Sequence, residues 1–278
     1  MIVVPTASVI VSAYDIPFSL RLAMLGYQRQ SCKDFELIVA DDGSGSETAD
    51  LVKQFQRTSD FTIKHIWREN KGYWMSRIIN EGVKASIGQC LILTNGDCIP
   101  HPDFVKSHID AYKQGSFCTG AYVLMPYEYC VCLTGKKVLM GDYERFLTMW
   151  KMARLTFRHL RNALHIAMKR TRYPKINGRN ISVDRSTFYA VNGYDENYHG
   201  LGGVDPDLRN RLLQYGAKPI SLWNKSVVFH IDHKAEPTRK SHPPRDREKS
   251  LEYRHRHDIP VRCENGLVKE GSYKEMSC

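Results

Sequence analysis

An α/β fold with a mostly parallel central sheet flanked by helices is what this sequence predicts, and three observations carry the prediction. Short apolar, β-branched runs alternate with helix-patterned segments over about the first hundred residues, the rhythm of βαβ units. The runs are nearly continuous in apolar character, as strands covered on both faces must be. Each ends in a polar knot of Asp, Ser, Asn or Gly, and open α/β sheets bind ligands at the carboxyl ends of their strands.

Ala7–Tyr14 (ASVIVSAY) is the first such strand, and Phe18–Gln30 follows with apolar residues at helical spacing. Phe35–Ala40 is the second strand, closed by the turn Asp41-Asp42-Gly43-Ser44-Gly45-Ser46. Glu47–Arg57 reads as a helix with Ser46 or Thr48 available as its cap. Phe61–Trp67 is a third strand, Glu69-Asn70-Lys71-Gly72 a loop, and Trp74–Ala85 a helix. Leu91–Leu93 opens the stretch LILTNGDCIP, in which Asn95-Gly96-Asp97-Cys98 interrupts the apolar run and Pro100 stops it. Beyond this, His108–Lys113 reads as helix, Ser116–Met125 as strand, and Cys130-x-Cys132 as alternation along a strand. Tyr143–Arg170 gives one long helical signal rich in Lys and Arg, either an ordinary surface helix on the sheet or a basic amphipathic helix on anionic lipid. Asn180–Ala190 reads as strand and turn, Asp205–Tyr215 as helix and Val227–Ile231 as the last strand. The tail from Lys234, with Pro243-Pro244 and dense mixed charge, is expected to be irregular.

Composition bounds the function. At 278 residues, 42% hydrophobic and 25% charged, the chain can bury a sizeable core. No run of about 18 uncharged apolar residues is present to span a membrane. The N-terminus lacks a basic segment and cleavage site, so a cytoplasmic location is expected. Eight cysteines without CxxC or zinc-like spacing read as reduced, mostly packed thiols. The net charge of +10 is concentrated in Lys136–Arg172 and Lys234–Arg262. Without a helix-turn-helix, zinc-finger or RNP pattern, nucleic acid is set aside in favour of phosphorylated substrates or an anionic membrane surface.

Four polar clusters mark strand ends of what should be one sheet. Ser12-Ala13-Tyr14-Asp15 closes the first strand and Asp41-Asp42 the second, where a carboxylate can accept from a base N–H or a ribose hydroxyl, or else cap a helix. Asn70-Lys71-Gly72 with Arg77 supplies cations suited to a diphosphate. Asn95-x-Asp97 offers oxygen donors to a hard divalent cation, with Gly96 allowing close approach to the backbone. His230 and His233, spaced His-x-x-His, are candidate further ligands. In Asn192–Leu213, glycines 200, 202 and 203 precede Asp205 and Asp207, the pattern of a loop that closes on a ligand and delivers a base, or of helix capping by acids.

In this order, SVIVSAYD, IVADDGS, ENKG, Arg77, TNGDC, GRNISV, GYDENYHGLGGVDPDL and HxxH resemble nucleotide-sugar glycosyltransferases of the GT-A fold. The N-terminal part is similar to family 2, and the C-terminal segment to the galactosyltransferase and chondroitin-polymerase type. The likeness covers about Ala7 to His233, leaving out Pro126–Lys175 and the tail. It implies a GT-A domain over 1–233, with a nucleotide-binding half at about 1–100, an acceptor and catalytic half at about 101–233, and a basic helical insertion at about 136–172. A basic tail spans 234–278.

The resemblance further implies roles. Ser12, Tyr14 and Asp42 would hold the uracil and ribose of a UDP-sugar, with Lys71 and Arg77 near the diphosphate. Asn95, Gly96 and Asp97 stand at the DxD motif, Asp97 as metal-binding carboxylate for Mn²⁺ or Mg²⁺ with His230 or His233. Asn180 would border donor or acceptor, Gly202 and Gly203 would approach the sugar, Asp205 would be the general base and Asp207 its support. Two positions depart from the pattern: Asn95 replaces the first DxD acid, and Val204 the usual Glu of Gly-Gly-Glu-Asp. The expected function is a metal-dependent inverting glycosyltransferase acting on a glycan or lipid-linked acceptor in bacterial surface polysaccharide or lipopolysaccharide synthesis, peripheral on the inner face of the membrane. A nucleotidyltransferase using the same pocket, or a non-catalytic sugar-binding relative, are the rivals.

Overall fold

A computed structural model of the chain describes residues 4–70, 72, 75–170, 173–198, 203–238 and 259–269. The first half forms β1 (Ala7–Ala13), α1 (Pro17–Gln28), β2 (Phe35–Asp41), α2 (Ser46–Thr58), β3 (Ile63–Trp67), α3 (Met75–Ala85) and β4 (Cys90–Asn95). There follow β5 (Cys98–Pro100), α4 (Phe104–Ala111), β6 (Ser116–Thr119), β7 (Ala121–Leu124), α5 (Tyr127–Cys130), α6 (Gly135–Leu139) and α7 (Met149–Ala167). The chain continues through β8 (Ile181–Asp184), α8 (Arg185–Ala190), α9 (Val204–Gln214), β9 (Lys218–Ser221) and β10 (Val227–His230).

Seven strands make the central sheet in the order β3-β2-β1-β4-β8-β6-β9. β1 to β4 run parallel, and β8 is inserted antiparallel between β4 and β6. Successive side chains of a strand point to opposite faces, and the core divides accordingly. Val9, Leu37 and Ile92 pack under α1 and α2 with Leu20, Met24 and Val52. Ile10, Ile38 and Leu93 pack on the other face against Ile78 and Val83 of α3 and Leu208 and Leu212 of α9. The continuous apolar runs therefore fed two layers, as their composition required.

The expectation of one sheet needs correcting. β5, β10 and β7 form a separate three-stranded sheet, with β10 antiparallel to β5 and parallel to β7. The stretch Ser116–Met125, which reads as a single strand, is cut at Gly120 and serves both sheets. A Cβ at Gly120 would meet the Asn180 side chain at 2.2 Å, so only glycine lets the backbone pass there. Asn180 staples the crossing: its Nδ2 donates to the carbonyls of Ala121 (2.8 Å) and Ser226 (3.1 Å), and its Oδ1 faces His108 Nε2 at 2.9 Å. His108 is fully buried, and burial lowers its pKa to about 4 despite the Asn180 bond.

Three local readings also change. Tyr143–Arg170 is not one helix: a 3₁₀ turn spans Asp142–Phe146, and α7 starts afresh where the Thr148 side chain accepts from the Lys151 N–H. Cys130 and Cys132 do not alternate along a strand, because Pro126 opens the short α5; Cys130 is buried and Cys132 exposed. Neither Ser46 nor Thr48 caps α2, whose N-cap is Gly45 with no side-chain bond. Among the described residues the cysteines are free thiols, and no described helix is long and apolar enough to cross a membrane. Of the tail only 234–238 and 259–269 are described; Trp74, Arg172, Pro243-Pro244 and Cys278 lie outside the described residues.

Candidate active site

The parallel register sets Ser12 beside Asn95 and Ala13 beside Asp41, so the polar knots of β1, β2 and β4 gather at one end of the sheet. Ser12 Oγ donates to Asn95 Oδ1 at 3.2 Å. Asp41 is spent inside: it accepts from the Ser44 N–H and hydroxyl at 2.8 and 2.6 Å and faces His65 Nε2 at 2.9 Å. Its neighbour Asp42 accepts from Arg68 Nε at 2.5 Å and carries its carboxylate one residue further out. Tyr14 lies half-buried just past β1. Gly96 also has a packing reason. Its N–H donates to the Ser12 carbonyl at 2.8 Å, and a Cβ there would meet Ile16 Cδ1 at 2.9 Å.

Asp97 receives its partners from the other end of the sequence. The β5–β10 pairing puts His230 opposite Cys98, and the Ile231 N–H donates to the Asp97 carbonyl at 2.9 Å. Asp97 Oδ2 then lies 3.5 Å from His230 Nε2 and 3.2 Å from His233 Nε2, and the two nitrogens are 3.1 Å apart. Burial opposes ionisation of Asp97, but the two imidazoles hold its carboxyl well below the usual carboxylate range. Cys98 Sγ completes a cluster with Asp97 and His230 whose ligating atoms all lie within 4.8 Å of one another. Burial, with Asp97 beside it, pushes the Cys98 thiol far up, so it stays protonated and donates to Asp97 Oδ1 at 3.5 Å.

The donor set fits a divalent cation. Metal–ligand bonds of about 2.1 Å put neighbouring ligand atoms about 3.0 Å apart in an octahedron and about 3.4 Å apart in a tetrahedron. The Asp97–His230–His233 triangle, with edges of 3.1 to 3.5 Å, lies within about 0.1 Å of that range.

Asp205 is positioned by the first turn of α9. Gly203, at φ +84°, turns the chain into the helix, and Val204 packs into the core. Asp205 Oδ2 accepts from the Gly178 N–H at 2.9 Å and Oδ1 from the Tyr194 hydroxyl at 3.2 Å. Burial, with Asp205 adjacent, pushes the Tyr194 phenol well above its ordinary value, so it remains a donor. The loop holding Asp205 also reaches β4: the Arg179 carbonyl accepts from Thr94 Oγ1 at 2.6 Å. Through residues 178 and 179, the acid of α9 is tied to the strand that ends in Asn95.

Residues 8–128 match the family model described as glycosyl transferase family 2, and residues 158–234 match that of the N-terminal domain of galactosyltransferase. The first half of the chain thus carries a glycosyl transferase family 2 domain, followed by a galactosyltransferase-type segment. Validoxylamine A glucosyltransferase of Streptomyces hygroscopicus subsp. limoneus is 26% identical over 83% of this chain and 52% of its own length. Chondroitin synthase of Escherichia coli is 22% identical over 77% of this chain and 33% of its own. The chain thus spans about half the length, or less, of these curated relatives. Among solved structures it is similar to the mannosyltransferase PcManGT from Pyrobaculum calidifontis in complex with GDP-Man and Mn²⁺, with a TM-score of 0.57 and 16% identity over 83% of this chain and 58% of that one. It is also similar to S. aureus TarS, with a TM-score of 0.55 and 12% identity over 82% and 37%.

Three expected site residues have partners within the fold. Asp207 does not turn to Asp205: its Oδ2 takes Arg211 Nε at 2.8 Å and Nη2 at 2.7 Å, and its Oδ1 takes the Tyr198 hydroxyl at 3.0 Å. Arg211 is 1% exposed, so this is a buried ion pair inside the fold. Asn180 is the staple between sheets described above. Arg77 lies 4.0 Å from Glu196, a carboxylate that also binds Asn80 and Lys269. Lys71 and Gly202 lie outside the described residues.

Sequence reasoning passed over Arg179, Tyr194 and Arg68. Arg179 is stacked over Tyr122 at 5.1 Å and is close enough to Cys98 to act on its charge. Its signal lies in the Gly178-Arg179-Asn180 motif, next to the asparagine.

Proposed function

We propose that this glycosyltransferase moves a sugar from a UDP-sugar to a hydroxyl of a glycan or lipid-linked acceptor, with inversion at the anomeric carbon and with Mn²⁺ or Mg²⁺. The observation that carries the reading is the Asp97–His230–His233 cluster at the strand ends that hold Ser12 and Asp42. Asp97, His230 and His233 would hold the ion, which when bound offsets charge on a diphosphate leaving group. Ser12, Tyr14 and Asp42 bind the nucleoside, Arg68 fixing Asp42. Arg179 adds positive charge near Asp97.

Asp205 takes the acceptor hydroxyl's proton as that oxygen attacks. The Gly178 N–H and the Tyr194 hydroxyl aim the carboxylate. One base and no covalent nucleophile is the inventory of a single inverting displacement. Asn95, engaged by Ser12, contributes a neutral oxygen in place of a second carboxylate. A role in bacterial surface polysaccharide or lipopolysaccharide assembly fits the basic surface, which suits phosphorylated acceptors.

The test is release of UDP from UDP-galactose, UDP-glucose and UDP-N-acetylhexosamines with a glycan acceptor pool, with Mn²⁺ and with EDTA. Metal-dependent release with one donor supports the reading. UDP binding without turnover on any donor would instead favour the non-catalytic relative.

A further inference from the structure

Exposed apolar side chains are distributed unevenly in this molecule. Of the 17 large hydrophobic residues exposed among the described residues, 12 fall between Tyr122 and Met168. The densest set lies on α7, where Met149, Trp150, Phe157, Leu160, Leu164 and Met168 are 53 to 90% exposed. Trp150, Phe157, Leu164 and Met168 stand seven, seven and four residues apart, one stripe along a helix. The opposite side, with Leu155 and Asn162 buried, packs on the protein. A satisfied surface helix has the reverse pattern, polar outward.

Charge on the same helix has one sign. Between Glu144 and Asp184 the sequence holds ten Lys and Arg and no Asp or Glu. Arg154, Arg158 and Arg161 border the stripe, lining one groove with Trp150, Ala153 and Phe157.

We infer that the outward face of α7 docks on an anionic lipid bilayer, its apolar stripe entering the interface and its arginines meeting the headgroups. An interfacial helix needs this pairing: an apolar face with Trp and Phe, a basic border and too little length or hydropathy to cross. Two other occupants fit less well. In a symmetric dimer the same patch meets itself, and Arg154, Arg158 and Arg161 would face their own copies with no acid on the helix to pair with. A soluble polyanion would use the arginines but leave the stripe uncovered. The inference concerns a surface outside the cleft and stands whether or not the donor and metal assignments hold.

The test uses the full chain with vesicles of phosphatidylcholine alone and of phosphatidylcholine mixed with phosphatidylglycerol. Co-sedimentation is expected with the mixed vesicles and weakens at high salt. Trp150 fluorescence shifts to the blue on binding, and the shift disappears in Trp150→Phe. Replacing Arg154, Arg158 and Arg161 by Gln weakens partitioning about fivefold each. Trp150→Ser with Phe157→Ser abolishes it while the melting temperature, checked in parallel, holds. Vesicle binding that ignores the two serine substitutions, or no binding to anionic vesicles by a folded chain, would overturn the proposal. So would a dimer in solution that Trp150→Ser with Phe157→Ser dissolves.

Discussion

Asp205 and Asp207 stand two residues apart on one helix turn, and substitution should separate them completely. Asp207→Ala removes the counter-charge of a guanidinium that is 1% exposed. The remaining Arg211 donors already reach the carbonyls of Val191 (2.7 Å) and Gly193 (2.8 Å), so the charge cannot turn to water. Stripping one partner from such a pair costs about 3–5 kcal/mol. For a chain of this size that is a fall of roughly 5–9 °C in melting temperature. Asp205→Asn keeps the shape and one acceptor oxygen, so its stability cost is about 1 kcal/mol. Loss of the base, however, lowers turnover by about 10²–10⁴-fold. Thermal melts followed by circular dichroism and UDP release measure the two effects on the same preparations. In Asp207→Leu with Arg211→Met, most of the lost melting temperature returns, because no buried charge remains. An unchanged melt in Asp207→Ala would refute the ion-pair argument, and an unchanged rate in Asp205→Asn the base assignment.

Three further outcomes follow from the geometry. Mn²⁺ raises the melting temperature of the wild type, and titration calorimetry of His230→Ala or His233→Ala gives binding at least about tenfold weaker; equal affinity would remove these ligands. His108, whose pKa falls from 6.5 to about 4 on folding, binds a proton in the unfolded chain first. Its contribution of about 3 kcal/mol is therefore complete above pH 6.5 and is lost as pH falls toward 4. Urea melts across that window should show the loss, and His108→Gln should flatten it. Gly96→Ala drives a methyl group against Ile16 and costs about 1–3 kcal/mol by urea denaturation.

The sheet of the first half was legible because strands buried on two faces must be apolar throughout, and Ala7–Ala13 and Phe35–Asp41 leave little choice. The second sheet was not legible. A stretch such as Ser116–Leu124 has strand character along its whole length, and the break at Gly120 depends on the Asn180 side chain, about sixty residues away. The same kind of contact hid the work of Asp207. Acids in a first helical turn read as dipole partners, and only the fold shows that Arg211, one turn on, is sealed from solvent. The α7 segment was recognised as basic and amphipathic, but periodicity cannot say which face meets the protein. Asp97, His230 and His233 were readable as oxygen and imidazole ligands from their types and His-x-x-His spacing, but only the β5–β10 pairing shows that residues so far apart meet.

That join has a consequence for how the molecule matures. The third position of the cluster is filled only when β10 zips against β5, late sequence closing on early. A nascent chain that has emerged as far as β5 holds Asp97 but not yet the imidazoles that face it. Assembly of the cluster is thereby made conditional on completion of the domain.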